Sequence, residues 1–219
     1  LRSYLDLIKR SKPEDFLAVS KEVDPAYEIT AVVAKLEREA KRRPVVLFEK
    51  VKGSKFPVLT NLHAGRSRLA LAMNAKPEEM QKAYLRAMEK PIPPKIVSKA
   101  PVKDVVLTGK RINLYDLPQI IHHEGDAGPY FTAAISFAKD PSDDTWNCAY
   151  NRLMIKGRDT TSIHLTSAKH LWEFYRLAEA RGEALPVAFA IGVHPAIALG
   201  ALAIGSIDED ERGVMGALL

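Results

Sequence analysis

Apolar residues recur at helical spacing through Ile29, Val32, Val33, Leu36 and Ala40, and that period predicts an amphipathic helix. Asp24-Pro25 stands in front of it and offers an N-cap followed by proline at the first helical position. An earlier helix over 3–10 and later ones near 67–73 and 77–89 obey the same period. The last of these carries Met80, Ala83, Tyr84, Ala87 and Met88 on one face. Short unbroken apolar runs at Val45–Phe48 and Val58-Leu59 predict strands between the helices. Pro91-Ile92-Pro93-Pro94 cannot continue a helix and reads as a stiff connector. Residues 1–100 therefore predict an α/β domain.

From about residue 101 the pattern turns to strands. Phe131–Lys139 and Trp146–Lys156 flank Asp140-Pro141-Ser142-Asp143-Asp144, a strong turn signal, and predict a β-hairpin. Ser162–Leu165 predicts a third strand. Ser167 caps a helix running to about Arg181 and stopped by Gly182, which places His170 in its first turn. Ala184 to Ile207 is a run of 24 residues without Asp, Glu, Lys or Arg, long enough to cross a membrane. It contains Pro186, Gly192, His194-Pro195, Gly200 and Gly205, so the better reading is strand, turn at His194-Pro195, short helix, strand. No internal repeat is present.

Composition changes the picture in two ways. Of the 219 residues, 47% are apolar and 27% charged, which excludes a disordered chain. The single cysteine, Cys148, excludes an internal disulfide and a multi-cysteine zinc site and fits a reducing, cytoplasmic setting. The opening Leu1-Arg2-Ser3-Tyr4-Leu5-Asp6 shows no apolar secretory core. Net charge is +5, but it is unevenly spread. Residues 1–100 carry 21 Lys and Arg against 12 Asp and Glu, a net of +9, and the rest of the chain carries −4. Much of the excess is Lys35, Arg38, Lys41, Arg42 and Arg43, the wet face and last turn of a helix, without the interleaved aromatics that stack on RNA bases. A basic nucleic-acid-binding protein is thus a weak alternative, and a solvated surface the better reading.

P-loop, dinucleotide-binding, zincin and nucleophile-elbow motifs are all missing. What remains is a scattered polar set in the apolar second half: Asn147, Arg152, His170 and Glu211, the last closing the acidic run Asp208-Glu209-Asp210-Glu211. An amide oxygen, an imidazole and a carboxylate form a mixed N/O donor set suited to Mn²⁺ or Mg²⁺. An arginine beside them could clamp a phosphate or carboxylate. By spacing alone each residue also has an ordinary reading: edge asparagine, surface histidine, solvated acidic loop. Asn147 and Arg152 differ by five, so strict alternation puts them on opposite faces unless a bulge intervenes. His122-His123-Glu124 is a rival cluster with a plain loop reading.

Four stretches resemble the UbiD-type decarboxylases, which use prenylated FMN and a divalent metal. Asn61-Leu62-His63-Ala64-Gly65-Arg66-Ser67-Arg68-Leu69-Ala70 is similar to a segment of the family's N-terminal α/β domain. Gly128-Pro129-Tyr130-Phe131-Thr132 resembles its entry strand into the cofactor domain. Asn147-Cys148-Ala149-Tyr150-Asn151-Arg152 fits its Asn, any, small, any, any, Arg pattern. Glu211-Arg212-Gly213-Val214-Met215-Gly216-Ala217-Leu218-Leu219 resembles its metal-ligand Glu and the Gly-Ala-Leu-Leu turn after it. The resemblance implies a split β-barrel flavin-binding domain over 101–219, apparently truncated, behind the α/β domain of 1–100. It implies that Asn147, His170 and Glu211 hold Mn²⁺ (or Mg²⁺), with K⁺ nearby. Thr132, Asn147, Cys148, Ala149, Tyr150, Asn151, Arg152, Lys169, His170 and Glu211 would contact prenylated FMN, and Arg152 would be catalytic.

The implied activity is reversible, non-oxidative decarboxylation of an aromatic or α,β-unsaturated carboxylic acid, a carboxy-lyase reaction. A flavin prenyltransferase would supply the cofactor. The family's catalytic carboxylates and its dimerising C-terminal domain lie beyond the Gly-Ala-Leu-Leu turn. The chain is therefore expected to be incomplete and inactive by itself, and the protein to be a homo-oligomer through the missing C-terminal domain. The alternative is an accessory subunit that keeps the fold without the chemistry.

Overall fold

The computed structural model describes residues 1–165 and 169–219. Ser167, expected as a helix cap, lies outside the described residues. The chain is mixed α/β, with three three-stranded sheets among those residues.

The first sheet has the order β1-β2-β3, from β1 (Phe16–Val19), β2 (Val45–Phe48) and β3 (Val58–Thr60). β1 and β2 run parallel, joined through helix α2 (Glu28–Arg38), and β3 is antiparallel to β2. Val46 and Phe48 face Ile29, Val32, Val33 and Leu36 of α2. Val45 on the opposite face packs on Tyr4 and Ile8 of α1 (Arg2–Ser11) and Ala72 of α3 (Arg66–Ala72). Coverage on both faces is why this strand is an unbroken apolar run.

α2 begins three residues later than an N-cap at Asp24 predicts. Asp24 Oδ1 accepts from Ala26 N–H at 2.9 Å, and Tyr27 N–H and Pro25 C=O bond to Ile121. A segment distant in sequence thus takes the groups a first helical turn would need. Ala40 lies past the helix end and is exposed.

Part of the Asn61–Ala70 stretch proves to be a structural fastening. Arg68 is 2% exposed, donates to Arg43 O at 2.6 Å and Asn61 O at 3.1 Å, and pairs with Asp15 at 3.3 Å. Tyr4 Oη donates to Arg68 O at 2.6 Å, and burial pushes that phenol up to about 12.

Helix α4 (Met80–Glu89) packs its predicted apolar face on the last two helices, α6 (Pro195–Gly200) and α7 (Glu211–Leu218). The proline connector after α4 has no regular secondary structure, in keeping with its composition.

The predicted hairpin forms, but each arm breaks and feeds two sheets. β5 (Ile135–Lys139) pairs with β6 (Trp146–Tyr150) and with β9 (Val187–Ala190), giving the order β6-β5-β9. β4 (Tyr130–Phe131), β7 (Leu153–Ile155) and β8 (Thr161–Ile163) form the other sheet. Phe131 pairs with Leu153 whereas Ile135 pairs with Tyr150, so the register slips by one residue across the break, as at a bulge. Helix α5 (His170–Ala180) covers one face of the β5 sheet through Leu171 and Phe174. Ala198 and Ala201 at α6, with Met215 of α7, cover the other, against Ile135 and Cys148.

Two further expectations are corrected. The charge-free run gives β9 and α6, but among the described residues no strand follows α6. The residues after Glu211 form a helix, not a turn, because Val214, Met215 and Leu218 recur at helical spacing on a buried face. No helix among the described residues is long and apolar enough to cross a membrane.

His194 caps α6: its Nδ1 accepts from Ala196 N–H at 3.2 Å, which requires that nitrogen to be unprotonated. Burial is the main cause of its depressed pKa. The folded state therefore binds this proton more weakly than the unfolded chain, and the cap's contribution is lost as pH falls through the ordinary imidazole range, about 6.5. His63 is depressed by burial in the same sense. The melting temperature is expected to drop between about pH 7 and 5, and less steeply in His194→Asn, whose cap does not titrate. An identical slope in that variant would remove His194 from the account.

Candidate functional site

β6 stands at the edge of its sheet, so alternate N–H groups along it have no strand partner. One of them, Cys148 N–H, donates instead to Glu211 Oε2 at 2.9 Å. Glu211 is the first residue of α7, behind Asp210, whose carboxylate caps the helix at Arg212 N–H. Its other oxygen, Oε1, accepts from Asn147 Nδ2 at 3.1 Å and lies 3.9 Å from Nδ1 of His170, the first residue of α5. Residues 63 and 64 positions apart thus meet where two helices begin beside an open strand edge. Arg212 stays nearby, bonded to Asp210 through Nε and Nη2 and stacked 4.5 Å over the Trp146 ring.

Asn147 is 6% exposed and Glu211 5%. Burial raises the Glu211 pKa, opposed by the hydrogen bonds it accepts and by His170. Asn147 Oδ1 is buried and has no hydrogen-bond partner among the described residues. An orphaned amide oxygen beside a desolvated carboxylate is unfavourable by itself, and a cation bound between them would satisfy both. The donor set of amide oxygen, carboxylate and imidazole therefore fits a hard or borderline divalent ion.

The other expected residues are placed differently. Cys148 Sγ is in the core with Ile135, Ala198 and Met215, and burial, aided by the Glu211 charge, pushes its thiol far above the ordinary range. Asn151 is buried, its amide donating to Ser136 Oγ at 2.7 Å, and Tyr150 packs on the same core as Cys148. The side chains of Cys148 and Asn151 are thus committed to the protein interior. Thr132 and Arg152 are exposed and stand one position beyond the Phe131–Leu153 pair, on either side of the strand break. The break removes the objection that strict alternation raises to Arg152. Lys169 is exposed at the N-cap of α5.

His122 belongs to a separate loop. Its Nδ1 lies 3.2 Å from Thr30 Oγ1 of α2, and Asp126 Oδ2 accepts from the backbone of both His122 and His123. The sequence reading missed Ser136, which supports Asn151, and the Cys148 N–H. Neither carries a local signal, because each acts only through a partner brought by folding.

Two family models match. Residues 9–88 match the 3-octaprenyl-4-hydroxybenzoate carboxy-lyase N-terminal domain, and residues 95–219 match the Rift-related domain of the same carboxy-lyase. The chain belongs to the UbiD family.

Among relatives of this UbiD-family chain is an anhydromevalonate phosphate decarboxylase of Methanothermobacter thermautotrophicus. It is 33% identical over 214 residues, covering 98% of this chain and 47% of that protein. A phenolic acid decarboxylase of Sedimentibacter hydroxybenzoicus is 30% identical over 230 residues, covering 100% and 47%. Among solved structures, an evolved dimeric form of the UbiD-class enzyme HmfF from Pelotomaculum thermopropionicum, in complex with prFMN, superposes with a TM-score of 0.92. It is 38% identical and covers all of this chain and 50% of that one. The chain spans about half the length of the relatives it matches.

Proposed function

We propose that this chain is the cofactor-binding portion of a carboxy-lyase that removes CO₂ reversibly from an aromatic or α,β-unsaturated carboxylic acid. The observation that carries the reading is the cluster of buried Asn147 and Glu211 with half-buried His170, and the unsatisfied Asn147 amide oxygen, found in a UbiD-family chain. Asn147, Glu211 and His170 hold a Mn²⁺ or Mg²⁺ ion, with K⁺ close by. Thr132, Lys169 and the backbone of 148–151 line the flavin site within a split β-barrel over 101–219, behind an α/β domain over 1–100. Prenylated FMN, when bound, supplies the electron sink that carboxylate loss requires. Arg152, whose side chain makes no ion pair among the described residues, is free to bind the substrate carboxylate through two parallel hydrogen bonds. The protein residues orient the substrate and balance charge, and an ion held by Asn147, Glu211 and His170 would supply positive charge for an anionic group of the cofactor rather than activate water. The holoenzyme is cytoplasmic and homo-oligomeric, and it depends on a flavin prenyltransferase.

The test uses the gene's full product, co-expressed with a flavin prenyltransferase. An absorption spectrum, the mass of the small molecule released on denaturation and the metal content are recorded together. A prenylated FMN mass with stoichiometric manganese is expected, and Arg152→Ala should abolish decarboxylation while the protein stays folded and loaded. A folded product with no flavin would overturn the reading in favour of an accessory subunit. Unchanged turnover in Arg152→Ala would remove that residue from the mechanism.

A further inference from the structure

Glu211 reaches Asn147 and the Cys148 N–H only if α7 sits at one depth against β6, and three glycines set that depth. A Cβ on Gly200 of α6 would lie 2.9 Å from Met215 Cα and N, so α6 and α7 meet backbone to backbone. Gly213 and Gly216, three residues apart, share a face of α7. A Cβ on Gly213 would lie 2.7 Å from Pro91 Cβ, and one on Gly216 would lie 2.2 Å from Ile92 O. Ile92 N–H donates to Gly213 O at 2.9 Å. Both glycines are within the helix, where glycine is a poor former, so what they supply is space. Pro91 and Ile92 fall between the two family-matched segments, 9–88 and 95–219.

We propose that Gly213 and Gly216 are positioning residues: by admitting the Pro91–Ile92 connector against α7 they hold Glu211 on Asn147 and the Cys148 N–H. This rests on the reading of Glu211 as a metal ligand. The connector leaving α4 thereby becomes part of the support of a site whose ligands lie far away in sequence. Removing Glu211 from its seat strands Asn147 Nδ2 and the edge N–H of Cys148 as well as the carboxylate. A shift of well under an ångström suffices, because the contacts are hydrogen bonds near their ideal length.

The experiment compares the gene's full product with its Gly213→Ala, Pro91→Gly and double variants. Glu211's position is read without metal from hydrogen exchange of the Cys148 amide. The Asn151 amide, bonded to Ala134 O at 3.0 Å, is the internal reference. Mn²⁺ affinity is read separately by titration. Gly213→Ala is expected to lower Cys148 protection about tenfold relative to Asn151 and to weaken Mn²⁺ binding about tenfold. Pro91→Gly removes the opposing Cβ, so the double variant should regain both. Unchanged Cys148 protection in Gly213→Ala, or protection that Pro91→Gly does not restore, overturns the proposal. Should Gly213→Ala fail to fold, recovery of folding in the double variant supports the contact, and failure in both overturns it. If Cys148 responds as expected while the unaltered chain binds no Mn²⁺, the positioning role stands and the metal-ligand reading falls.

Discussion

Glu211→Gln is expected to weaken Mn²⁺ binding by about a hundredfold or more, a larger effect on metal affinity than that of either connector variant. The substitution keeps the side chain's length and leaves one oxygen to accept the Cys148 N–H. It removes the charge that a divalent ion requires and turns an NH₂ group toward either the Cys148 N–H or Asn147 Nδ2, both of which are donors. Metal-free stability should behave in the opposite way. Burial raises the Glu211 pKa, so the folded state favours the protonated acid. The stability this residue contributes is fully present below the ordinary carboxyl range and is lost as pH rises through the raised value. At neutral pH the metal-free Gln variant should therefore melt no lower than the unaltered chain. Metal titration and thermal melts with and without Mn²⁺ check both parts. Equal Mn²⁺ affinity in the two proteins would displace Glu211 from the ligand set.

Arg68→Met is expected to destabilise the fold by about 3–5 kcal/mol, the cost typical of removing one partner from a buried ion pair. Three acceptors depend on this guanidinium: the carbonyls of Arg43 and Asn61 and the Asp15 carboxylate. Methionine fills much of the volume but leaves all three without their donor. Lysine keeps the charge, yet one ammonium cannot reproduce the planar fork, so Arg68→Lys should recover little. Asp15→Asn in the Arg68→Met background should recover part of the loss, because the uncompensated charge is gone. Urea denaturation with an unchanged slope would measure these differences. A loss under about 1 kcal/mol would show that water reaches the acceptors as readily as arginine does.

Elements whose signal is local were legible in the sequence. The faces of α2 and α4, the apolar run of β2 and the stop at Gly182 follow from side-chain period and backbone preference, which need no distant partner. Asn147, Arg152, His170 and Glu211 could be selected as a chemically coherent set, and the motif around Asn147 and Arg152 pointed to the family. Elements decided by competition for hydrogen bonds were not legible. Ile121 takes the groups of Pro25 and Tyr27, so α2 starts at Glu28. The hairpin arms break because their outer halves pair in one sheet and their inner halves in another.

By itself, then, the sequence determined the helices and strands whose signal is local, which residues carry donor chemistry and which family the motifs resemble. Only the tertiary structure decided that Glu211 opens a helix rather than closing an acidic loop, and that it sits 5% exposed against the edge of β6. It also decided that the Cys148 thiol belongs to the core while its N–H belongs to the site. The physical reason is the same in each case. Period and propensity act within a few residues, whereas the orphaned Asn147 oxygen, the carboxylate beside it and the glycines that admit the connector are defined by contacts between segments about 60 to 120 residues apart.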